Sequence, residues 1–161
     1  MDVLKNLLSN FPLICVAAAW LLAQLLKIFT SGFREKKKNV IDVLVGTGGM
    51  PSSHAASVVS LAVACAISEG VASAAFAISV LFAFVVMRDA TGVRRETGEQ
   101  AKVLNHIVKN LFSSGDHENI NRNLRELVGH TPLQVFVGAL VGAAVPCLVG
   151  MIPYYNIYGV F

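Results

Sequence analysis

The sequence predicts an all-α fold: an integral membrane helical bundle of about four transmembrane helices with a helical cytoplasmic loop, in one domain over residues 1–161. Three observations predict it. Hydrophobic residues make up 55% of the chain and charged residues only 14%, where soluble domains run near one half and one quarter. The apolar residues fall in long runs, and the basic residues concentrate between those runs rather than along them.

The first run, Phe11 to Thr30, is 20 residues broken only by Gln24 and Lys27, which suits a span of roughly 17–25 residues. It has Asp2 and Lys5 ahead of it and no small-x-small cleavage site. It also exceeds the apolar core of about 7–15 residues in a secretory signal, so a cleavable leader is not expected. Ala55–Ser68 and Val71–Met87 follow, parted only by Glu69 and Gly70, and read as a tight helical hairpin. No proline interrupts Arg88 to Leu111, where Val103, Leu104, Ile107, Val108 and Leu111 recur at helical spacing. The third span should therefore run on as a cytoplasmic helix, loosened at Gly92 and Gly98. Ser113-Ser114-Gly115-Asp116 should end it. A short amphipathic helix is expected next, with Ile120, Leu124, Leu127 and Val128 on one stripe and Gly129 as its C-cap. Thr131 and Pro132 then supply an N-cap and a first-turn proline for a run without charge as far as Tyr155. The spans are placed near 11–30, 54–68, 71–88 and 132–152. Small residues are dense in the second and last (Ala55, Ala56, Ala62, Ala64; Gly138, Gly142), which permits close packing in lipid.

Charge gives the orientation. Arg34, Lys36, Lys37 and Lys38 follow the first span, and seven more basic residues lie between the third and the last. The hairpin turn and the C-terminal tail have none. The positive-inside rule puts both basic loops in the cytoplasm and the N-terminus, the hairpin turn and the C-terminus outside. The net charge of +3 is then a membrane feature and not a sign of nucleic-acid binding. Cys15, Cys65 and Cys147 sit in three different apolar runs with no CxxC pair. They read as small core residues, with neither zinc nor a disulfide framework implied.

The residues with chemistry gather at that cytoplasmic edge. GGMPSSHAA, residues 48–56, places Ser52, Ser53 and His54 in a first helical turn beside Pro51, where unpaired N–H groups and the positive dipole end favour an anion. His130 precedes Thr131 and Pro132 at a second helix start. His106 and His117 are read as surface residues. A helix dipole offers an anion typically 0.3–1 kcal/mol, about 2 at best, too little for a phosphate dianion. Cationic partners are needed, and Lys27, Arg34, Arg94, Arg95 and Arg125 lie on the correct side.

These residues carry a resemblance. Lys27 with Arg34, Pro51-Ser52-Ser53-His54, and His130 ahead of the last span together resemble the three motifs of the type 2 phosphatidic acid phosphatase and vanadium haloperoxidase superfamily. GGMPSSHAA, DATGVRRETGEQAKVLN from Asp89 and LRELVGHTP from Leu124 resemble its divergent, small bacterial and plastid branch over nearly the full chain. The resemblance implies His130 as a nucleophile that forms a phosphohistidine and His54 as the acid that protonates the leaving alcohol. It implies Lys27, Arg34 and Ser53 as phosphate ligands, and no metal or other cofactor. The chain departs from the superfamily pattern at Glu35, at Leu124 with Arg125 one place on, and at Gln134, where an aspartate would orient the imidazole. Asp89 and Glu126 are candidates to replace that carboxylate.

Two function classes follow. One is a phosphatase acting on a lipid phosphate, monoester or diphosphate, at the cytoplasmic face of the cell (inner) membrane. The other is a non-catalytic membrane protein binding anionic headgroups or a partner through the same pocket. A transporter would want polar residues near mid-membrane, and vanadate-dependent haloperoxidase chemistry a secreted or soluble fold. Neither suits this chain.

Overall fold

Alanines and one cysteine recur every fourth residue from the start of α1 (Phe11–Gly32), and that stripe decides how the helix packs. Phe11, Cys15, Ala19, Ala23 and Lys27 are all buried, while Leu21, Leu25 and Phe29 on the other faces are exposed, as expected of a helix bathed in lipid. The computed structural model describes residues 7, 9–32, 49–112 and 130–151. Arg34, the expected amphipathic helix around Ile120–Val128 and its Gly129 cap lie outside them.

α2 (Ser53–Glu69) and α3 (Ala74–Thr91) form the expected hairpin. The turn works because Gly70 takes φ +83, which a residue without Cβ adopts at little cost, and its N–H donates to the Ala66 carbonyl at 3.1 Å. α3 starts at Ala74, three residues later than the hydropathy suggests, because the Ser73 hydroxyl caps it by accepting the Phe76 N–H at 3.2 Å. At its far end the helix breaks at Gly92, whose φ −104, ψ −92 turn the chain into α4 (Val93–Phe112). Gly98 does not interrupt α4, and the expected break at Ser113-Ser114-Gly115-Asp116 lies outside the described residues. α5 (Pro132–Gly150) completes the bundle. Among the described residues all regular structure is helical.

The second helix is central, packing on α1, α3 and α5. Two pairs of contacts fix its direction against α1. Phe11 and Cys15 meet Ala64 and Ile67 at one end, and the stem of Lys27 meets Gly49 at the other, so α1 and α2 are antiparallel. Against α5 it is parallel: Gly138 faces Ser52 and Ala55, and Gly142 faces Ala56. A methyl on Gly138 would overlap the Ser52 carbonyl oxygen, and one on Gly142 that of Ala56, so only glycine permits this approach. The close-packing expectation for small residues holds through backbone contact.

Three helical stretches are long and apolar enough to cross a membrane, Phe11–Thr30, Ala74–Val108 and Pro132–Gly150, with Ser53–Glu69 a shorter apolar helix beside them. The chain is an integral membrane helical bundle. Cys15 and Cys65 are buried as expected, whereas Cys147 is exposed.

Candidate functional site

Parallel packing of α2 on α5 has one consequence for chemistry: both N-termini, with their positive dipole ends, arrive at the same end of the bundle. The C-terminal ends of α1 and α3 arrive there too. His54 comes from the first turn of α2 and His130 from the residue ahead of the α5 cap, and their ring centroids stand 6.1 Å apart at 58°. The sequence separates these two residues by 76 positions.

Each is placed by local hydrogen bonding. Ser52 is the N-cap of α2, its hydroxyl accepting the Ala55 N–H at 3.4 Å. Its own backbone N–H donates to the Gln134 carbonyl at 3.0 Å, which ties the start of α2 to the first turn of α5. The backbone N–H of His130 donates to the Ala90 carbonyl at 3.1 Å, tying the same corner to the last turn of α3. Asp89 is the neighbour of that anchor. A small apolar plug of Ala55, Ala90, Val135 and Met87 closes the corner from above. His130 is 3% exposed, and His54 is exposed.

Lys27 completes the group from α1. It is 2% exposed, turned into the bundle although it stands near the end of its helix. Gly49 makes room for it. Its φ is +106, and a Cβ there would lie 2.7 Å from Cε of Lys27 and 3.0 Å from Cγ. The Thr30 hydroxyl holds the same approach by donating to the Met50 carbonyl. A buried ammonium costs several kcal/mol unless charge or hydrogen bonds compensate it.

The other expected ligands divide. Ser52 and Ser53 are both buried at this corner. Arg94 and Arg95 occupy the first turn of α4, just past Gly92. Arg34 and Arg125 lie outside the described residues, as do Glu126 and His117. His106 lies on an exposed face of α4. A shallow pocket of about 520 Å³ beside the α3–α4 junction is lined by Thr91, Glu96, Glu99 and Gln100. Its two carboxylates would repel a phosphate. Among the described residues no three His, Cys, Asp or Glu side chains gather closely enough to hold a metal ion.

Sequence reading missed three participants. Gly49 was legible only as one letter of GGMPSSHAA, and Gln24 only as a break in an apolar run, although it is buried one turn from Lys27. Gln134 entered as a missing carboxylate. Its Oε1 nevertheless lies 3.4 Å from Nδ1 of His130 and accepts the Thr131 N–H at 3.0 Å. The signal that finds it is the capping-box spacing Thr131-x-x-Gln134.

Comparison with known proteins gives the family of the chain. A family model described as the Divergent PAP2 family matches residues 8–145. The chain is 41% identical over 146 residues to the uncharacterized membrane protein YuiD of Bacillus subtilis (strain 168), covering 85% of this chain and 92% of the relative. No solved structure matches the chain.

Proposed function

The chain belongs to the divergent PAP2 family, and from that membership we propose that it is a lipid phosphate phosphatase whose site is the corner where α2 and α5 begin. The observation that carries the reading is the pairing of His54 with His130 at 6.1 Å, at the end of the bundle where the buried Lys27 packs on Gly49. Such a separation lets two imidazoles address one phosphorus from different sides.

In the proposed reaction a nitrogen of His130 attacks phosphorus, an N–P bond forms, and the P–O bond to the lipid breaks. His54, as imidazolium, gives its proton to the departing alkoxide or phosphate. Water then attacks the phosphohistidine, gives a proton to His54, and the P–N bond breaks to release inorganic phosphate. Lys27, Ser52 and Ser53, with Arg34, Arg94, Arg95 and Arg125, offset the charge on the phosphate oxygens, which is most of what phosphoryl transfer asks of a protein. Asp89 is proposed to support this corner beside the Ala90 anchor. The positive-inside distribution supports a site on the cytoplasmic side of the cell membrane and, with it, a substrate lipid whose phosphate faces inward.

A second reading has one observation in its favour. Gln134 brings His130 no negative charge, so a pocket that binds anionic headgroups without turnover fits the same residues. Purified protein offered a panel of lipid monophosphates and diphosphates separates the two. The phosphatase reading expects phosphate release that resists chelators, is inhibited by orthovanadate, and is abolished in His130→Ala. Headgroup binding without release from any lipid would favour the second.

A further inference from the structure

His130 stands one residue ahead of the Thr131 cap of α5, and Gln134 lies one turn further on. Side chains of a helix lean toward its N-terminus, so Gln134 reaches back over the cap. There its Oε1 accepts the backbone N–H of Thr131 at 3.0 Å, while the Thr131 hydroxyl accepts the Gln134 N–H at 3.4 Å. An amide side chain can turn either its oxygen or its NH₂ toward a neighbour. Here the neighbour is a backbone N–H, which only donates, so the atom facing it is the oxygen. That same oxygen is the one 3.4 Å from Nδ1 of His130.

An acceptor facing Nδ1 is favourable only when Nδ1 carries the ring proton. A neutral imidazole has a single N–H, so Nε2 then holds the lone pair. Lys27 on α1, His54 on α2, Arg88 and Asp89 on α3, and Arg94, Arg95 and Glu96 in the first turn of α4 are the titratable and charged groups that the other helices bring to this end. The backbone N–H of His130 is already held by Ala90, so the residue is fixed at both its main chain and its ring.

We propose that Gln134 is the positioning residue of His130: the α5 capping box fixes the amide oxygen, and the oxygen fixes the imidazole as its Nδ1–H tautomer with Nε2 as the attacking nitrogen. A helix cap thereby does the orienting that a carboxylate would do, without adding a charge. The inference rests on the phosphatase reading for the attacking role of Nε2 and for its kinetic arm; the tautomer itself does not depend on it.

Long-range 1H–15N correlation spectra of the ring nitrogens, recorded on the full chain in lipid nanodiscs, test it directly. The His130 signals are assigned by their loss in His130→Asn. The wild-type protein is expected to show a protonated Nδ1 and an unprotonated Nε2 at neutral pH, Gln134→Glu to keep that pattern, and Gln134→Leu to lose it. A wild-type His130 protonated at Nε2, or an unchanged tautomer in Gln134→Leu, overturns the proposal. If Gln134→Leu fails to fold, the wild-type and Gln134→Glu spectra still decide. In the kinetic arm, Gln134→Leu should lower kcat on the order of 10²-fold with KM little changed, and Gln134→Glu should restore turnover. Absence of phosphate release by the wild-type protein would count against the phosphatase reading and leave the spectral test standing.

Discussion

Lys27 is the most informative single residue. A lysine on a membrane helix usually reaches for water near the helix end, and this one stands five residues from the end of α1. It is buried instead, because Gly49 lacks the Cβ that would strike its stem. Lys27→Met keeps that stem and removes the charge. Phosphate release is expected to fall on the order of 10²-fold or more while circular dichroism stays unchanged; wild-type turnover would remove Lys27 from the site. Gly49→Val should cost activity in parallel, since it both displaces the stem and strains a φ of +106. At His54 the expectation depends on substrate. His54→Ala should slow lipid phosphates with poor alcohol leaving groups far more than activated aryl phosphates, and equal slowing of both classes would deny it the acid role.

Among the elements, α2 and α5 form the decisive pair. Gly138 and Gly142 put the α5 backbone directly on the carbonyls of Ser52 and Ala56, and Ser52 is at once the cap of α2 and a donor to Gln134. Bulk at this seam should therefore disturb stability and site geometry together. Gly142→Val is expected to destabilise the bundle by about 1–3 kcal/mol, read from detergent unfolding. Ala144→Val, on an exposed face of the same helix, should leave the transition where it is. Comparable effects of the two would mean that the seam is not what holds α5 in place.

For the molecule as a whole, the arrangement makes one end chemical and the other apolar. His54, His130, Lys27 and the start of α4 lie at one end, while Phe11, Cys15, Ala64, Ile67 and Val149 pack at the other. Basic residues follow the same polarity in the sequence, so the chemical end should face the cytoplasm. In a chain whose three cysteines are replaced, Lys37→Cys should resist a membrane-impermeant maleimide in intact cells and react after permeabilisation. Labelling from outside would reverse the orientation and exclude an inward-facing lipid as substrate.

The sequence by itself determined the class of fold, the starts of α2 and α5, and the suspects. Uninterrupted apolar runs have no soluble alternative. Pro51, Thr131 and Pro132 announce helix N-termini through their own backbone and capping chemistry, and a histidine beside each is visible as a string of letters. These are local properties, carried within one turn of helix. Tertiary structure alone decided that α2 and α5 run parallel in backbone contact, and so that His54 and His130 meet. It also turned Lys27 inward. The physical reason is that such facts depend on which carbonyl lies against which glycine, and on which side a long side chain finds room. Hydropathy and spacing are blind to both, because neither is a property of any one segment.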